Sequence, residues 1–143
     1  MAKIISENKI LNNKNLIRLI ETLIPNVNDA PSGVEAGVQY YLVKALNAHR
    51  KNILPSYEVI LKSLEIISKE FYKNTFWKLD DDHAEIVVSK VQVIESGAFE
   101  SVRNLVFEGY FAHPRWRDGK GKSVWSAIGF RPILRNQDQF GEI

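Results

Sequence analysis

The chain has 143 residues, of which 45% are hydrophobic and 25% are charged, the balance of an ordinary soluble globular protein. Its length suits one domain, 1–143, that buries roughly two thirds of the surface of its unfolded chain. The net charge of +2 comes from 19 basic and 17 acidic residues spread along the chain, so neither nucleic acid nor an anionic membrane is indicated as a partner. The lack of cysteine excludes disulfides, Cys-ligated metal centres and thiol catalysis.

The first 25 residues do not form a Sec signal peptide, because charged and amide side chains interrupt the apolar positions between Glu7 and Asn15. They contain no twin-arginine pair. No window elsewhere approaches the roughly 20 apolar residues of a membrane helix. We therefore expect a cytoplasmic protein without membrane insertion, unless another subunit carries it out of the cell.

The predicted fold class is all-α, with about five helices in chain order. In the first helix, apolar residues recur at helical spacing over 16–24 until Pro25 ends the run, and Asn15 is the predicted N-cap. The second helix begins with a capping box formed by Ser32 and Glu35 and runs to about residue 49. Its apolar residues share one face, which predicts packing against a core.

The second half of the chain predicts three more helices. Pro55 opens the third helix, and the acids at 80–82 precede a fourth apolar run that ends at Ile94. That run is rich in β-branched residues, so a strand remains an alternative; we prefer a helix because its apolar positions do not alternate. The fifth helix is expected from about Phe99 to Phe111, after a break at Gly97.

Residues 105–132 hold an unusual number of aromatic side chains in a segment too broken by Gly and Pro to be one regular element. Each buried aromatic removes roughly 150–250 Å² from water, so the segment must fold onto something. It predicts an irregular C-terminal arm that packs either on this domain's core or on a partner protein. The aromatic residues are Phe107, Tyr110, Phe111, Trp116, Trp125 and Phe130.

Two stretches of the sequence together resemble one family. The first carries LIP at 23–25, PSG at 31–33 and EAGV at 35–38; the second carries EGYFAHP at 108–114 and WSAIGF at 125–130. Both are similar to the gluconate 2-dehydrogenase subunit 3 family, the small or gamma subunits of flavin-dependent sugar and sugar-acid dehydrogenases. Members of that family commonly carry a twin-arginine export signal.

The resemblance implies a non-catalytic small subunit that binds a large FAD-dependent subunit of glucose–methanol–choline (GMC) type and stabilises or matures it. FAD, the sugar or polyol and the catalytic histidine would then belong to the large subunit, with no cofactor in this chain. A higher-order hetero-oligomer is compatible with this assignment. Because Trp and Arg are the commonest interface anchors, the arm supplies most of the expected partner-binding residues. These are Tyr110, His113, Arg115, Trp116, Arg117, Trp125 and Arg131.

Two alternative functions from other functional classes remain. A stand-alone helical ligand-binding domain or small enzyme would use the His113–Asp118 loop, since His titrates near neutral pH and a carboxylate can orient it. Pro114 leaves that pair without a fixed geometry, and no nucleophile motif accompanies it. A homo-oligomer would instead pack the aromatic arm on its own copy. His49 and His83 are more isolated in the sequence, and the acids at 80–82 are interpreted as a solvated helix start rather than a metal site.

Overall fold

The computed structural model describes residues 6–112, which form six α-helices and no β-strand. The all-α prediction is therefore confirmed for this part of the chain. Residues 105–112 of the aromatic segment belong to a helix rather than to an irregular arm. The rest of the segment, from residue 113 onward and called the arm below, lies outside the described residues. The helices are α1 (Glu7–Leu11), α2 (Lys14–Leu23), α3 (Val38–Leu46), α4 (Leu54–Tyr72), α5 (Asp81–Ile94) and α6 (Ser96–Ala112), with short 3-10 helices at Lys51–Ile53 and Phe76–Lys78.

Helix α2 is the first predicted helix, but its cap differs from the expected one. Its N-cap is Asn13, whose Oδ1 accepts a hydrogen bond from the backbone N–H of Leu16 at 3.0 Å. The expected cap, Asn15, lies inside the helix and donates instead to Glu65 of α4 at 2.9 Å. Asn15 thus joins two helices, a role that depends on a residue 50 positions away. Helix α1 had no counterpart among the predicted helices.

The predicted second helix starts later than expected. The capping box forms, with Ser32 N–H donating to Glu35 Oε1 at 2.9 Å and Glu35 N–H donating to Ser32 Oγ at 3.1 Å. It closes a turn rather than a helix, because Gly37 has a left-handed backbone with φ of 85°. Helix α3 begins only at Val38.

The predicted third and fourth helices are both present. Helix α4 has Pro55 in its first turn and ends at Tyr72, followed by the C-cap Lys73, which has a left-handed backbone with φ of 57°. Helix α5 confirms the preference for helix over strand. Asp80 caps it by accepting a hydrogen bond from the N–H of His83 at 2.8 Å, and this confirms the acidic helix start.

The expected break at Gly97 is wrong, because Gly97 lies in the first turn of α6. Helix α5 ends at Ile94 and α6 begins at Ser96, so Glu95 alone separates them. No atom lies within 4 Å of the position that a Cβ would take at Gly97. Neither packing nor an unusual φ requires glycine there, so the residue weakens the helix start without ending the helix.

The core lies between these helices and is mainly aliphatic. Helix α4 packs against α5, α6 and α2, while α3 packs against α1 and α6. Among the described residues, no helix combines the length and the apolar character needed to cross a membrane. The candidate site lies where α3 contacts the C-terminal end of α6. The larger fully buried side chains include Ile10, Leu19, Leu42, Ile60, Leu64, Phe76, Leu105 and Tyr110.

Candidate functional site

At the C-terminal end of α6, the structure joins the first family-like stretch to residues 108–112, the described start of the second. The Tyr110 hydroxyl donates a hydrogen bond of 2.7 Å to the backbone carbonyl of Pro31, 79 residues earlier in the chain. The Tyr110 side chain is 0% exposed, and this burial raises its pKa to about 12. Tyr110 is therefore a neutral core residue, and its expected contact with a partner is corrected: a side chain without exposed surface packs inside its own chain.

Gly109 allows α6 to approach α3 closely. A Cβ built at Gly109 would lie 2.7 Å from Cδ2 and 3.0 Å from Cγ of Tyr41, closer than real Cβ atoms approach such neighbours. Its backbone has no positive φ, so space rather than conformation requires glycine. The ring of Tyr41 lies against the helix backbone at this point.

Glu108 is the centre of a polar cluster between α6 and the end of α3. Arg50 donates to it from Nη2 to Oε1 at 2.7 Å and from Nε to both carboxylate oxygens at 3.2 Å. The Tyr41 hydroxyl donates to Oε2. His49 Nε2 lies 3.2 Å from the Tyr41 hydroxyl oxygen and 3.5 Å from Glu108 Oε2. Four side chains with different chemistry thus meet at one half-exposed place.

The electrostatics of this cluster favour a fixed ion pair. Partial burial by itself would raise the pKa of Glu108, but the hydrogen bonds from Arg50 and Tyr41 outweigh it, and the pKa lies below its usual value. Burial, followed by the hydrogen bond to the Glu108 carboxylate, raises the pKa of Tyr41 to about 12. Glu108 is thus charged and Tyr41 neutral at ordinary pH. The carboxylate is already occupied by donors, so the cluster is suited to holding α6 in place rather than to transferring protons.

Side-chain hydrogen bonds hold the turn at 31–37, which Tyr110 contacts. Ser32 Oγ donates to Glu21 of α2 at 3.0 Å, and Asn26 Nδ2 donates to Glu35 at 2.9 Å. The backbone hydrogen bond from Ser32, followed by the bond from Asn26, lowers the pKa of Glu35. A Cβ at Gly33 would lie 2.6 Å from Cγ2 of the buried Ile20, so the turn lies directly on α2.

We call Glu108, Gly109 and Tyr110 the α6 anchor. Each residue uses a different property: Glu108 its charge, Gly109 its missing side chain, and Tyr110 its buried ring and hydroxyl. Together they attach the last turns of α6 to α3 and to the turn at 31–37. The described chain ends two residues later, at Ala112, directly before the predicted arm. The anchor therefore fixes the C-terminal end of the described chain.

The other predicted site residues come after Ala112 in the sequence. His113, Arg115, Trp116, Arg117, Trp125 and Arg131 lie outside the described residues, as does the His113–Asp118 loop. Their expected contact with a partner stays a prediction. Among residues 6–112, no group of three or more His, Asp or Glu side chains is placed to bind a metal ion.

Sequence reasoning missed three members of the cluster around Glu108. His49 was considered isolated, although its ring contacts both Tyr41 and Glu108. Arg50 and Tyr41 received no functional role at all. The sequence offered one useful signal, the EGY triplet that begins the second family-like stretch. The distant residues that contact it follow no short-range pattern.

A comparison with known families identifies the family of this chain. A family model described as gluconate 2-dehydrogenase subunit 3 matches residues 12–132. The chain belongs to this family. The match confirms the resemblance and contains both family-like stretches. The family name makes its members subunits of a dehydrogenase, which is consistent with an accessory role beside a partner subunit. Searches among curated proteins and among solved structures found no significant match.

Proposed function

We propose that the chain is a non-catalytic small subunit that binds a large FAD-dependent, GMC-type dehydrogenase subunit and stabilises or matures it. The large subunit would oxidise CH–OH groups of a sugar or polyol with its own FAD. Membership in the subunit 3 family supports this proposal. The observation that carries it is the contact, at the α6 anchor, between the first family-like stretch and the described start of the second.

The anchor supports a binding role for physical reasons. Association loses less conformational entropy when the binding segment starts from a fixed point. The attachments of Glu108 and Tyr110 fix the end of α6, and the arm follows within a few residues. A small subunit of this design would present the arm to its partner without ordering its own core during binding. A fixed helix end followed by a binding arm therefore favours a binding role over a catalytic one.

The composition of the arm indicates what it would bind. Residues 113–132 carry five basic side chains and one acidic side chain, together with Trp116, Trp125 and Phe130. Such a segment complements an acidic surface with apolar pockets. We therefore propose that Trp116 and Arg117 dock on an acidic, partly apolar surface of the large subunit. We further propose that the two subunits meet in the cytoplasm, where any export signal of the partner would act on the assembled complex.

Co-expression with the large flavin-dependent subunit from the same genome tests the proposal. We expect the two chains to elute together in size-exclusion chromatography, and the large subunit to contain more FAD and more folded protein than when it is expressed alone. The isolated small chain should be colourless and should not reduce a dye with any sugar. Robust turnover by the isolated chain would favour the alternative of a small enzyme.

The substitution Trp116→Ala tests the docking residue. Loss of an interface hot spot should weaken binding by about 2 kcal/mol or more, roughly thirtyfold in Kd, while the melting temperature of the isolated chain stays nearly unchanged. Titration calorimetry and thermal unfolding measure the two quantities. Trp77→Ala is a matched control, because Trp77 is a half-exposed tryptophan on the described surface. A lower melting temperature with binding intact would place Trp116 in the chain's own core.

A further inference from the structure

Helix α5 has a second apolar face that the described chain leaves open. Its inner face packs in the core through Ala84, Val87, Val88 and Val91. On its outer face, Ile86, Val93 and Ile94 lie beside Phe71 from the end of α4, and these four side chains are 43–79% exposed. They line an open groove of about 740 Å³ together with Asp82, Glu85, Ser89 and Lys90. We call this the outer groove.

The three charged groups of the outer groove differ in whether a described side chain contacts them. Lys90 Nζ lies 4.5 Å from the centre of the Phe71 ring, a cation–π contact that occupies the groove's basic group. Arg18 pairs with the neighbouring Asp81 at 3.1 Å rather than with Asp82. Within residues 6–112, Asp82 and Glu85 form no ion pair. The groove therefore combines exposed apolar side chains with two carboxylates that lack a cation.

This combination argues against a second copy of the chain as the occupant. A second copy of the chain in a two-fold contact would bring the same acidic groove against itself, and facing like charges oppose association. A different chain can supply the missing cation. Apolar patches that persist on a folded surface usually mark interaction sites, and the family is one of complex subunits. The groove also lies on the helix that Glu95 joins directly to α6, so it has a short connection to the helix that carries the anchor.

We propose that the outer groove is a second docking surface for the large dehydrogenase subunit. The large subunit fills the groove with apolar side chains and places a Lys or Arg beside Asp82 and Glu85. This inference rests on the proposed function and extends it from the arm to α5. Attachment at two surfaces of one subunit makes the second contact intramolecular, which raises the overall affinity.

The apolar contacts are tested by Ile86→Ser and Val93→Ser in the full-length chain, with affinity for the large subunit measured by biolayer interferometry. Each variant should weaken binding at least tenfold without lowering the melting temperature of the free chain. Ile66→Ser is the matched control, since Ile66 is also an exposed isoleucine but lies outside the groove. It should bind like the wild type.

The charged contact is tested by comparing Glu85→Gln with Glu85→Lys. Removal of the charge should weaken binding several-fold, and its reversal should weaken binding further, because a basic partner group would then face Lys. The difference between the two variants should shrink at high salt. Equal affinities for the two variants at low salt would contradict a basic partner group at this position.

Each remaining outcome is informative. If the wild type binds the large subunit and both groove variants bind equally well, the groove inference is overturned while the proposed function stands. If the wild-type chain does not bind at all, the proposed function itself fails. Self-association of the wild type that Val93→Ser abolishes would assign the groove to a second copy. A clear loss of thermal stability in free Ile86→Ser would show that the chain covers its own groove, which also overturns the inference.

Discussion

The α6 anchor and the outer groove use similar residue types with opposite results. At the anchor, the Glu108 carboxylate accepts hydrogen bonds from Arg50 and Tyr41, and Tyr110 is fully buried. At the groove, Glu85 has no cation among the described residues, and Val93 is 79% exposed. Satisfied charges and covered rings hold a fold together, whereas unsatisfied charges beside open apolar surface favour a partner. Composition alone does not separate these cases.

The sharpest test of the anchor is Tyr110→Ala. Removal of a fully buried aromatic ring leaves a cavity, so we expect a loss of about 3–5 kcal/mol in the free energy of unfolding. Urea denaturation followed by circular dichroism measures it. Tyr110→Phe keeps the ring and removes only the donor to Pro31, and it should cost about 1–2 kcal/mol. A loss below about 1 kcal/mol for the alanine variant would show that Tyr110 is not a core residue.

Gly109→Ala tests the close approach of α6 to α3. The added methyl group would meet the Tyr41 ring at 2.7 Å, and we expect a destabilisation of about 1–3 kcal/mol from overpacking. Gly97→Ala in the same helix is the control, because its methyl group would meet nothing within 4 Å. Because alanine has a higher helix propensity than glycine, Gly97→Ala should be more stable than the wild type by up to about 1 kcal/mol. Equal effects at the two glycines would contradict the proposed packing.

Glu108→Gln tests the polar part of the anchor. The amide keeps the shape of the side chain but loses the charge that Arg50 and Tyr41 contact, so we expect about 1 kcal/mol of destabilisation after allowing for solvent screening. Thermal and urea unfolding at neutral pH provide the measurement. Glu100→Gln is the control: it makes the same change on the exposed surface of α6 and should have little effect.

The same contact predicts a pH dependence. The pKa of Glu108 is lowered in the folded chain, so its contribution to stability is present above the ordinary carboxyl pKa and is lost as pH falls through the folded value. For Tyr41 the pKa is raised to about 12, so its contribution is present below pH 10 and is lost as pH rises towards 12. In Glu108→Gln the acid-side loss of stability should be smaller. An unchanged acid-side profile would contradict this account.

The smallest expected effect on stability is that of a substitution in the outer groove. Val93→Ala removes apolar surface that is already in water, so the free energy of unfolding should change by less than about 0.5 kcal/mol. Val91→Ala, two positions earlier, removes a fully buried side chain and should cost about 2 kcal/mol. Chemical denaturation of both variants gives the comparison. Similar losses would show that the groove is closed in the free chain.

Much of the fold could be predicted from local patterns. Apolar residues at helical spacing indicated α2 and α4, and acids before an apolar run indicated the start of α5. One error occurred where distant contacts decided the outcome. Asn15 lies within α2 and bonds to Glu65 and Trp77 instead of capping the helix. A second error was local: a break between helices was expected at Gly97, but Gly97 lies in the first turn of α6.

The sequence by itself determined the helical class, the order of the main helices and the family, because these depend on short-range periodicity and on motifs of a few residues. The tertiary structure decided which residues are buried in the core and which remain exposed. Tyr110 was expected at an interface and is buried, while His49 was considered isolated and contacts Glu108. The physical reason is that burial and pairing depend on side chains many residues apart, which only the packing of α3, α5 and α6 brings together.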